Sequence, residues 1–154
     1  MKNSGARVIA RNKKAFFNYE ILDTFEAGIV LQGSEVKSIR EGRVSLKESY
    51  AEIRDGEVYL ISCHVSLYPP ANRLNHEPLR ERKLLLHSRE IKRLLGKIKE
   101  KGLTLVPTQI TISPNNRIKV ELSLARGKRT HQKREVIRER DRDRELQAEL
   151  KRVR

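Results

Sequence analysis

The side chains in this sequence that could do chemistry are mainly arginines and lysines. The chain has 154 residues and carries 34 of these cations against 20 aspartates and glutamates, which gives a formal net charge of +14. Arginine stacks on bases and binds phosphate through a fork of N–H groups, so an arginine-rich surface suits irregular RNA. The charge therefore indicates a polyanionic partner, with nucleic acid first and an acidic membrane surface second.

The sequence offers little that could perform catalysis. The four histidines lie far apart and lack metal-ligand spacing. Cys63 and His64 are neighbours in a predicted strand, so their side chains point to opposite faces and a nucleophile–base pair is not expected. Cys63 is the single cysteine, which excludes an internal disulfide and a four-cysteine zinc site. We expect a protein that is not an enzyme and that has no cofactor or metal.

The elements that must position the cations are mostly short strands. Ala15 to Phe25 is rich in aromatic and branched residues, and Asp55-Gly56 is a strong hairpin signal. Residues 117–125 alternate, with apolar side chains on one face and polar ones, including Lys119 and Glu121, on the other. About six strands of this length hide their edges best in a small barrel. We therefore predict a mainly β fold with flanking helices, built on an oligonucleotide-binding-like β-barrel.

Two helices and one long loop are predicted between the strands. A short helix follows Gly33, with Ser34 as its N-cap and with Lys37 and Arg40 pointing outward. A longer helix is capped by Ser88, continues through Lys101 and carries an apolar stripe on one side. Between these helices, residues 66–82 contain three prolines and no periodicity. Loops of this length are often functional.

The charge distribution divides the chain into three predicted parts. Residues 1–14 form a basic arm that we expect to be mobile, residues 15–125 form the barrel, and residues 126–154 form a basic tail. The tail has twelve basic and six acidic residues, but it has no apolar stripe to bury. It is expected to be disordered when free and helical along RNA, and a solvated helix packed on the barrel is the alternative.

No apolar run is long enough to span a bilayer, and the basic N-terminus is not followed by the apolar stretch of a secretory signal. The expected location is the cytoplasm.

Four stretches together carry a resemblance to a known family. They are residues 26–50, Arg82-Lys83-Leu84-Leu85-Leu86-His87, residues 101–107 and Ala125-Arg126-Gly127-Lys128-Arg129. In this order and at these separations the sequence resembles the SmpB family, small proteins that bind transfer-messenger RNA (tmRNA, also called SsrA RNA) and rescue stalled ribosomes. The resemblance covers nearly the whole chain and implies the same oligonucleotide-binding-like barrel.

The resemblance also implies a function. A member of this family is a non-catalytic adaptor that binds the tRNA-like domain of tmRNA and delivers it to stalled ribosomes for trans-translation. Its C-terminal tail senses the empty mRNA channel near the decoding centre of the small subunit, and elongation factor Tu and alanyl-tRNA synthetase handle the same RNA. Composition alone leaves a basic structural ribosomal protein, or a general RNA-binding protein, as the alternative.

The resemblance assigns Glu26 and Leu85 to the RNA-contact surface. Leu85 is the middle of three leucines that cannot all point inward on a strand, so it is either an exposed platform for a base or covered by a helix, and composition favours coverage. Asn12 is an RNA contact by resemblance, although a loop cap fits the residue type equally well. The expected RNA-binding residues are Asn12, Lys13, Glu26, Lys37, Arg40, Arg82, Lys83, Leu85 and His87.

The tail begins with a second group of expected contacts. Residues 127–134 match the start of the family's ribosome-binding segment, except that Gln132 stands where many members carry aspartate. The expected ribosome-binding residues are Gly127, Lys128, Arg129, His131, Lys133, Arg134 and Arg138.

Overall fold

The computed structural model describes residues 5–99, 102–128 and 140–148. Within these ranges the chain is mainly β, as predicted, with nine strands, three α-helices before residue 99, one 3-10 helix and a further helix over residues 140–148. The strands are β1 (Arg7–Arg11), β2 (Tyr19–Ile29), β3 (Val44–Ser45), β4 (Tyr50–Arg54), β5 (Glu57–Ile61), β6 (His64–Val65), β7 (Arg82–Leu85), β8 (Leu103–Ile112) and β9 (Ile118–Gly127). The helices are α1 (Lys13–Asn18), α2 (Gly33–Arg40) and α3 (Ser88–Ile98), and the 3-10 helix is Pro69–Leu74.

Six of the described strands close into a ring of hydrogen bonds. The order around the ring is β8, β4, β5, β7, β2 and β9, and β9 pairs again with β8. All of these pairings are antiparallel. Closure leaves few exposed strand edges, which is how a small sheet avoids edge-to-edge association.

The ring is not evenly built. β9 pairs with β2 from Tyr19 to Gly28 and with β8 from Leu103 to Ile112. In contrast, β4 meets β8 through the single pair Ala51–Leu105, and β2 meets β7 only through Gly28–Leu85 and Ile29–Leu84. We call these two short junctions the seams of the ring.

The interior of the ring is the main hydrophobic core. On β9 the alternation predicted from the sequence is present, because Val120, Leu122 and Leu124 are all buried in this core. Ala125 points to the opposite face, where it packs with Val106 and with Ala15 of α1 in a second, smaller cluster. Helix α1 therefore covers the outside of the ring over β8 and β9.

The predicted helix boundaries differ from the observed ones by a few residues. Ser34 is the predicted cap of α2, but the cap is Gln32, two residues earlier, and the Glu35 carboxylate accepts a hydrogen bond from the backbone N–H of Gln32 at 2.8 Å. At α3 the capping residue is His87, whose N–H donates to Glu90 Oε1 at 3.0 Å. In both helices, a glutamate three residues after the capping residue accepts a hydrogen bond from the backbone N–H of that residue. Both glutamates are visible in the sequence.

The Asp55-Gly56 hairpin is as predicted. Both turn residues have positive φ, 49° and 76°, and β4 and β5 pair on either side of them. Such φ values at two central residues match the twist of the flanking strands.

The N-terminal residues expected to form a mobile arm are described from residue 5 onward. Residues 7–11 form β1, which pairs with β8, and Lys13 and Lys14 begin α1. Residues 7–11 are held in the sheet by main-chain pairing with a strand about 100 residues away, and composition does not reveal such pairing. At the other end of the barrel, β9 continues to Gly127, two residues past the predicted boundary at Ala125.

Candidate RNA interface

The outer surface at one seam brings together two of the residues expected to contact RNA. Gly28 on β2 pairs with Leu85 on β7, and Glu26 lies two residues before Gly28 on the same face. Glu26 is exposed, and Leu85 is 51% exposed while Leu84 is buried in the core. The expectation that a helix covers Leu85 is therefore wrong: its side chain is an apolar platform on the surface.

Glycine at position 28 is needed for this arrangement. A Cβ atom on Gly28 would lie 3.3 Å from Leu85 Cβ, closer than such contacts usually come. An open groove of about 440 Å³ lies beside Gly28 and Leu85. Its lining combines apolar residues with cations and includes Leu31, Val36, Arg40, Arg117, Ile118 and Lys119. A groove with this lining suits an unstacked base and its phosphate.

Helix α2 places two predicted cations next to this groove. Its buried side carries Glu35, Ser38 and Ile39, which leaves Lys37 and Arg40 exposed. Arg40 lines the groove, and the Lys37 ammonium lies 5.5 Å from the centre of the Tyr68 ring in the adjacent loop. The outward direction predicted for both cations is confirmed.

Lys83 and His87 are also at the surface, but Lys83 has a partner. Its ammonium donates to Glu57 Oε1 at 3.0 Å, and the hydrogen bond from Tyr59 and this bond from Lys83 both lower the pKa of Glu57. The same contact with Glu57 raises the pKa of Lys83. An RNA phosphate would have to compete with the Glu57 carboxylate for this cation.

Arg82 is placed where it cannot contact RNA. Its side chain is completely buried, as is that of Glu35, and the two form an ion pair with Nε and Oε2 2.5 Å apart. Arg82 also donates to the Cys63 carbonyl at 2.8 Å, while Arg80 binds Oε1 of Glu35 at 2.6 Å. The prediction of an RNA contact at Arg82 is corrected to an internal ion pair that joins β7 to α2.

The charge of Glu35 is maintained inside the protein. Burial alone would raise the pKa of its carboxyl, but hydrogen bonds from Arg80, from the Gln32 N–H and from Arg82 outweigh that effect and lower it. The sequence signal was weak, since a glutamate among lysines and serines in a short helix resembles an ordinary surface residue.

Asn12 is likewise internal, only 4% exposed. Its Oδ1 accepts from the Ala15 N–H at 3.1 Å, and its Nδ2 donates to the carbonyls of Leu46 and Pro107 at 3.1 and 3.0 Å. Of the two interpretations, the cap fits this geometry and a direct RNA contact does not. Lys13, the next residue, is exposed.

The start of the tail is attached to α1. The backbone N–H of Lys128 donates to the Asn18 carbonyl at 2.8 Å, and its ammonium donates to the Phe16 carbonyl at 2.9 Å. Gly127 ends β9 and is exposed, and the helix over residues 140–148 is exposed at every position, with the Arg140 guanidinium 5.6 Å from the Phe17 ring centre. The remaining predicted tail contacts lie outside the described residues: Arg129, His131, Lys133, Arg134 and Arg138.

Neither a metal site nor a reactive thiol is seen within residues 5–99, 102–128 and 140–148. No three histidine, cysteine or acidic side chains of this part are grouped to hold a metal ion. Cys63 is buried, and burial raises the pKa of its thiol to about 11. No helix among those described is long and apolar enough to cross a membrane.

Sequence reasoning missed the groove beside Leu85. The alternation over residues 117–125 places Lys119 on the outward face of β9, but it does not reveal that β2 lies between β9 and β7. The register Lys119–Gly28–Leu85 across three strands is what brings these residues together.

Comparison with known proteins gives one consistent result. The family model described as "SmpB protein" matches residues 9–152. Proteins named SsrA-binding protein are similar over nearly their whole length: that of Persephonella marina is 52% identical, covering 96% of both chains, and that of Syntrophobacter fumaroxidans is 55% identical, covering 96% of this chain and 91% of its own. A solved chain described under "tmRNA-SmpB: a journey to the center of the bacterial ribosome" is 49% identical, with a TM-score of 0.67 over 79% of this chain and 85% of that one.

Proposed function

The chain belongs to the SmpB family, and from this membership we propose that it binds tmRNA as a non-catalytic adaptor and brings it to stalled ribosomes for trans-translation. The observation that carries this proposal is the family match over residues 9–152. The exposed Leu85 platform, beside a groove whose lining includes cations, supplies a surface with the chemistry that such an adaptor requires.

The proposed contact surface for the tRNA-like domain is centred on the seam between β2 and β7. Leu85 stacks against an unpaired base, and Glu26 accepts a hydrogen bond from a base amine or a ribose hydroxyl. Other cations at the surface bind phosphates, namely Lys13, Lys37, Arg40 and Lys83, together with His87. Arg82 supports the surface from inside through its ion pair with Glu35 of α2.

The second half of the proposal concerns residues 126–154. In this family the tail enters the empty mRNA channel near the decoding centre, and we propose the same role here, with the tail helical on the ribosome. Its cationic composition fits a path lined by ribosomal RNA. The two bonds from Lys128 to α1 support a fixed point of departure for the tail from the barrel.

Further parts of the proposal follow from the family. The six-strand ring is a variant of the oligonucleotide-binding barrel, the protein acts in the cytoplasm, and elongation factor Tu and alanyl-tRNA synthetase are partners through the RNA that they share with it.

A binding competition at moderately high salt tests the RNA half of the proposal. Labelled tmRNA is bound by the protein and challenged with bulk tRNA, generic single-stranded RNA and duplex DNA, because salt suppresses the phosphate contribution that all of these share. We expect tmRNA binding to resist the competitors. Equal displacement by every competitor would favour a general basic protein instead.

Truncation after Lys128 tests the tail. This cut retains all of β9 and the bonds to α1, so we expect folding and tmRNA binding to be kept while tagging of stalled chains on ribosomes is lost. Full tagging by the truncated protein would refute the role of the tail.

A further inference from the structure

The loop between β6 and β7 presents an unusually exposed leucine. Leu74, at the end of the 3-10 helix Pro69–Leu74, is 85% exposed, the highest value among the large hydrophobic residues that the structure describes. Leu67 and Leu79 of the same loop are about half exposed, at 48% and 53%. Several large apolar side chains that are exposed to solvent on one loop are typical of a contact surface.

This loop is held in place by its own hydrogen bonds. The Asn75 side chain closes it by accepting from the Tyr68 N–H at 2.9 Å and donating to the Tyr68 carbonyl at 2.8 Å. Asn72 has positive φ at 50°, a conformation that requires support from its surroundings. The loop is therefore fixed by its own hydrogen bonds before any partner binds. This lowers the entropic cost of ordering Leu74 in a contact.

The base of the loop is anchored in the core. His76 is 4% exposed; its Nε2 donates to the Val65 carbonyl at 2.9 Å, and its Nδ1 accepts from the Ser34 hydroxyl at 2.8 Å. Ser34 lies in α2, so the loop and the helix that carries Lys37 and Arg40 are fixed to each other.

The charges around Leu74 favour a polyanion. Residues 66–76 contain one formal charge, that of Arg73, which is exposed and forms no ion pair within the described part of the chain. Lys37 adds a second cation over the Tyr68 ring. The nearest acidic residue in sequence is Glu77, beyond the buried His76. The loop thus carries an exposed leucine, the exposed cation Arg73 and the Tyr68 ring with Lys37 over it, and this set of groups suits an unpaired nucleotide.

We propose that the 68–75 loop is a second RNA-contact element, in which Leu74 packs against an unpaired base of tmRNA while Arg73 and Lys37 bind the flanking phosphates. The partner is tmRNA because α2 joins this loop to the groove beside Leu85, through Lys37 on one side and Arg40 on the other. The inference rests on the proposed function and extends the contact surface past α2.

Leu74→Ser and Arg73→Gln variants of the full chain test this element, and Leu95→Ser is the matched control, because Leu95 is an exposed leucine on α3 with 38% exposure. Binding of labelled tmRNA is measured at moderately high salt, together with chemical probing of its unpaired bases. We expect Leu74→Ser to weaken binding about tenfold and to restore the reactivity of at least one base that the wild-type protein protects. Leu95→Ser should change neither. The melting temperatures of Leu74→Ser and Arg73→Gln should match that of the wild type because both substituted side chains are exposed, while Leu95→Ser, at 38% exposure within α3, should melt somewhat lower and so show that a small loss of stability alone does not weaken binding.

The outcomes separate this inference from the function on which it rests. If the wild-type protein binds tmRNA selectively and Leu74→Ser binds equally well with the same protected bases, the loop is not an RNA contact. If selective tmRNA binding is intact in Leu74→Ser but binding to ribosomes is lost, the loop contacts the ribosome and the proposal is overturned. If the wild-type protein shows no selectivity for tmRNA, the proposed function itself fails.

Discussion

Replacing Glu35 by glutamine should be among the most damaging single changes in this protein that leave side-chain shape unaltered. The substitution removes the carboxylate that neutralises Arg82, which is completely buried. Leaving a buried cation without its partner costs about 3–5 kcal/mol. Since domains of this size are stable by about 5–15 kcal/mol, we expect a large fall in the free energy of unfolding.

The assay is urea unfolding of the wild-type and variant proteins, followed by circular dichroism. The midpoint should fall while the slope with denaturant stays the same, because the area exposed on unfolding does not change. Glu81→Gln is the control: Glu81 forms an ion pair with Arg54 at 2.7 Å, but both side chains are largely solvated, so its midpoint should barely move. A double variant, Glu35→Gln with Arg82→Met, should recover stability relative to Glu35→Gln alone, because the unpaired charge is gone.

The same pair gives a pH dependence with a definite sign. Because the pKa of Glu35 is lower in the folded protein than its ordinary value of 4.5, its contribution to stability is fully present above that value and is lost as the pH falls through the folded pKa. The difference between wild type and Glu35→Gln should therefore shrink in acid. A loss below about 1 kcal/mol at neutral pH, or a difference that does not change with pH below 4.5, would refute the view that Arg82 depends on this carboxylate.

Three further predictions concern Asn12, Gly28 and Cys63. We expect Asn12→Ala to cost about 2 kcal/mol in urea unfolding, and Asn12→Asp to cost more because a carboxylate would face two carbonyl oxygens; equal midpoints would argue against the two bonds from Asn12 Nδ2. Gly28→Val should displace Leu85 and weaken tmRNA binding about tenfold in a filter-binding assay, and unchanged binding would show that the platform is not used. Cys63 should resist thiol reagents at pH 7.5 until the protein is unfolded by urea, and rapid labelling of the native protein would contradict its burial.

Local patterns in the sequence predicted the elements whose causes are local. The Asp55-Gly56 turn and the alternation on β9 depend on residues a few positions apart, and both are present as expected. The outward direction of Lys37 and Arg40 follows in the same way from the period of a short helix.

The failures share a different cause. Arg82 was expected at the surface because arginine is usually exposed, but Glu35, 47 residues away, provides a buried partner. Asn12 is satisfied by a carbonyl 95 residues away, at Pro107. Whether Leu85 is covered or exposed depends on which strands flank β7. Each answer required the pairing of distant strands, which a single sequence does not specify.

The two seams divide the ring into two sheets that are joined only by short strand pairings. On one side, β1, β8, β9 and β2 form a continuous sheet, and on the other β4, β5 and β7 form a second sheet. Backbone amides at Gly28–Leu85 and Ala51–Leu105 belong to the shortest pairings, so these should exchange with deuterium through local opening at a lower free energy than the long β2–β9 ladder. A ligand that contacts Glu26 on β2 and Leu85 on β7 stabilises the closed state of the seam between these two strands. The slowing of exchange at this seam on ligand binding then reports how much more tightly the ligand binds the closed seam than the open one. Slower exchange at Ala51–Leu105 as well would show that the two seams open together.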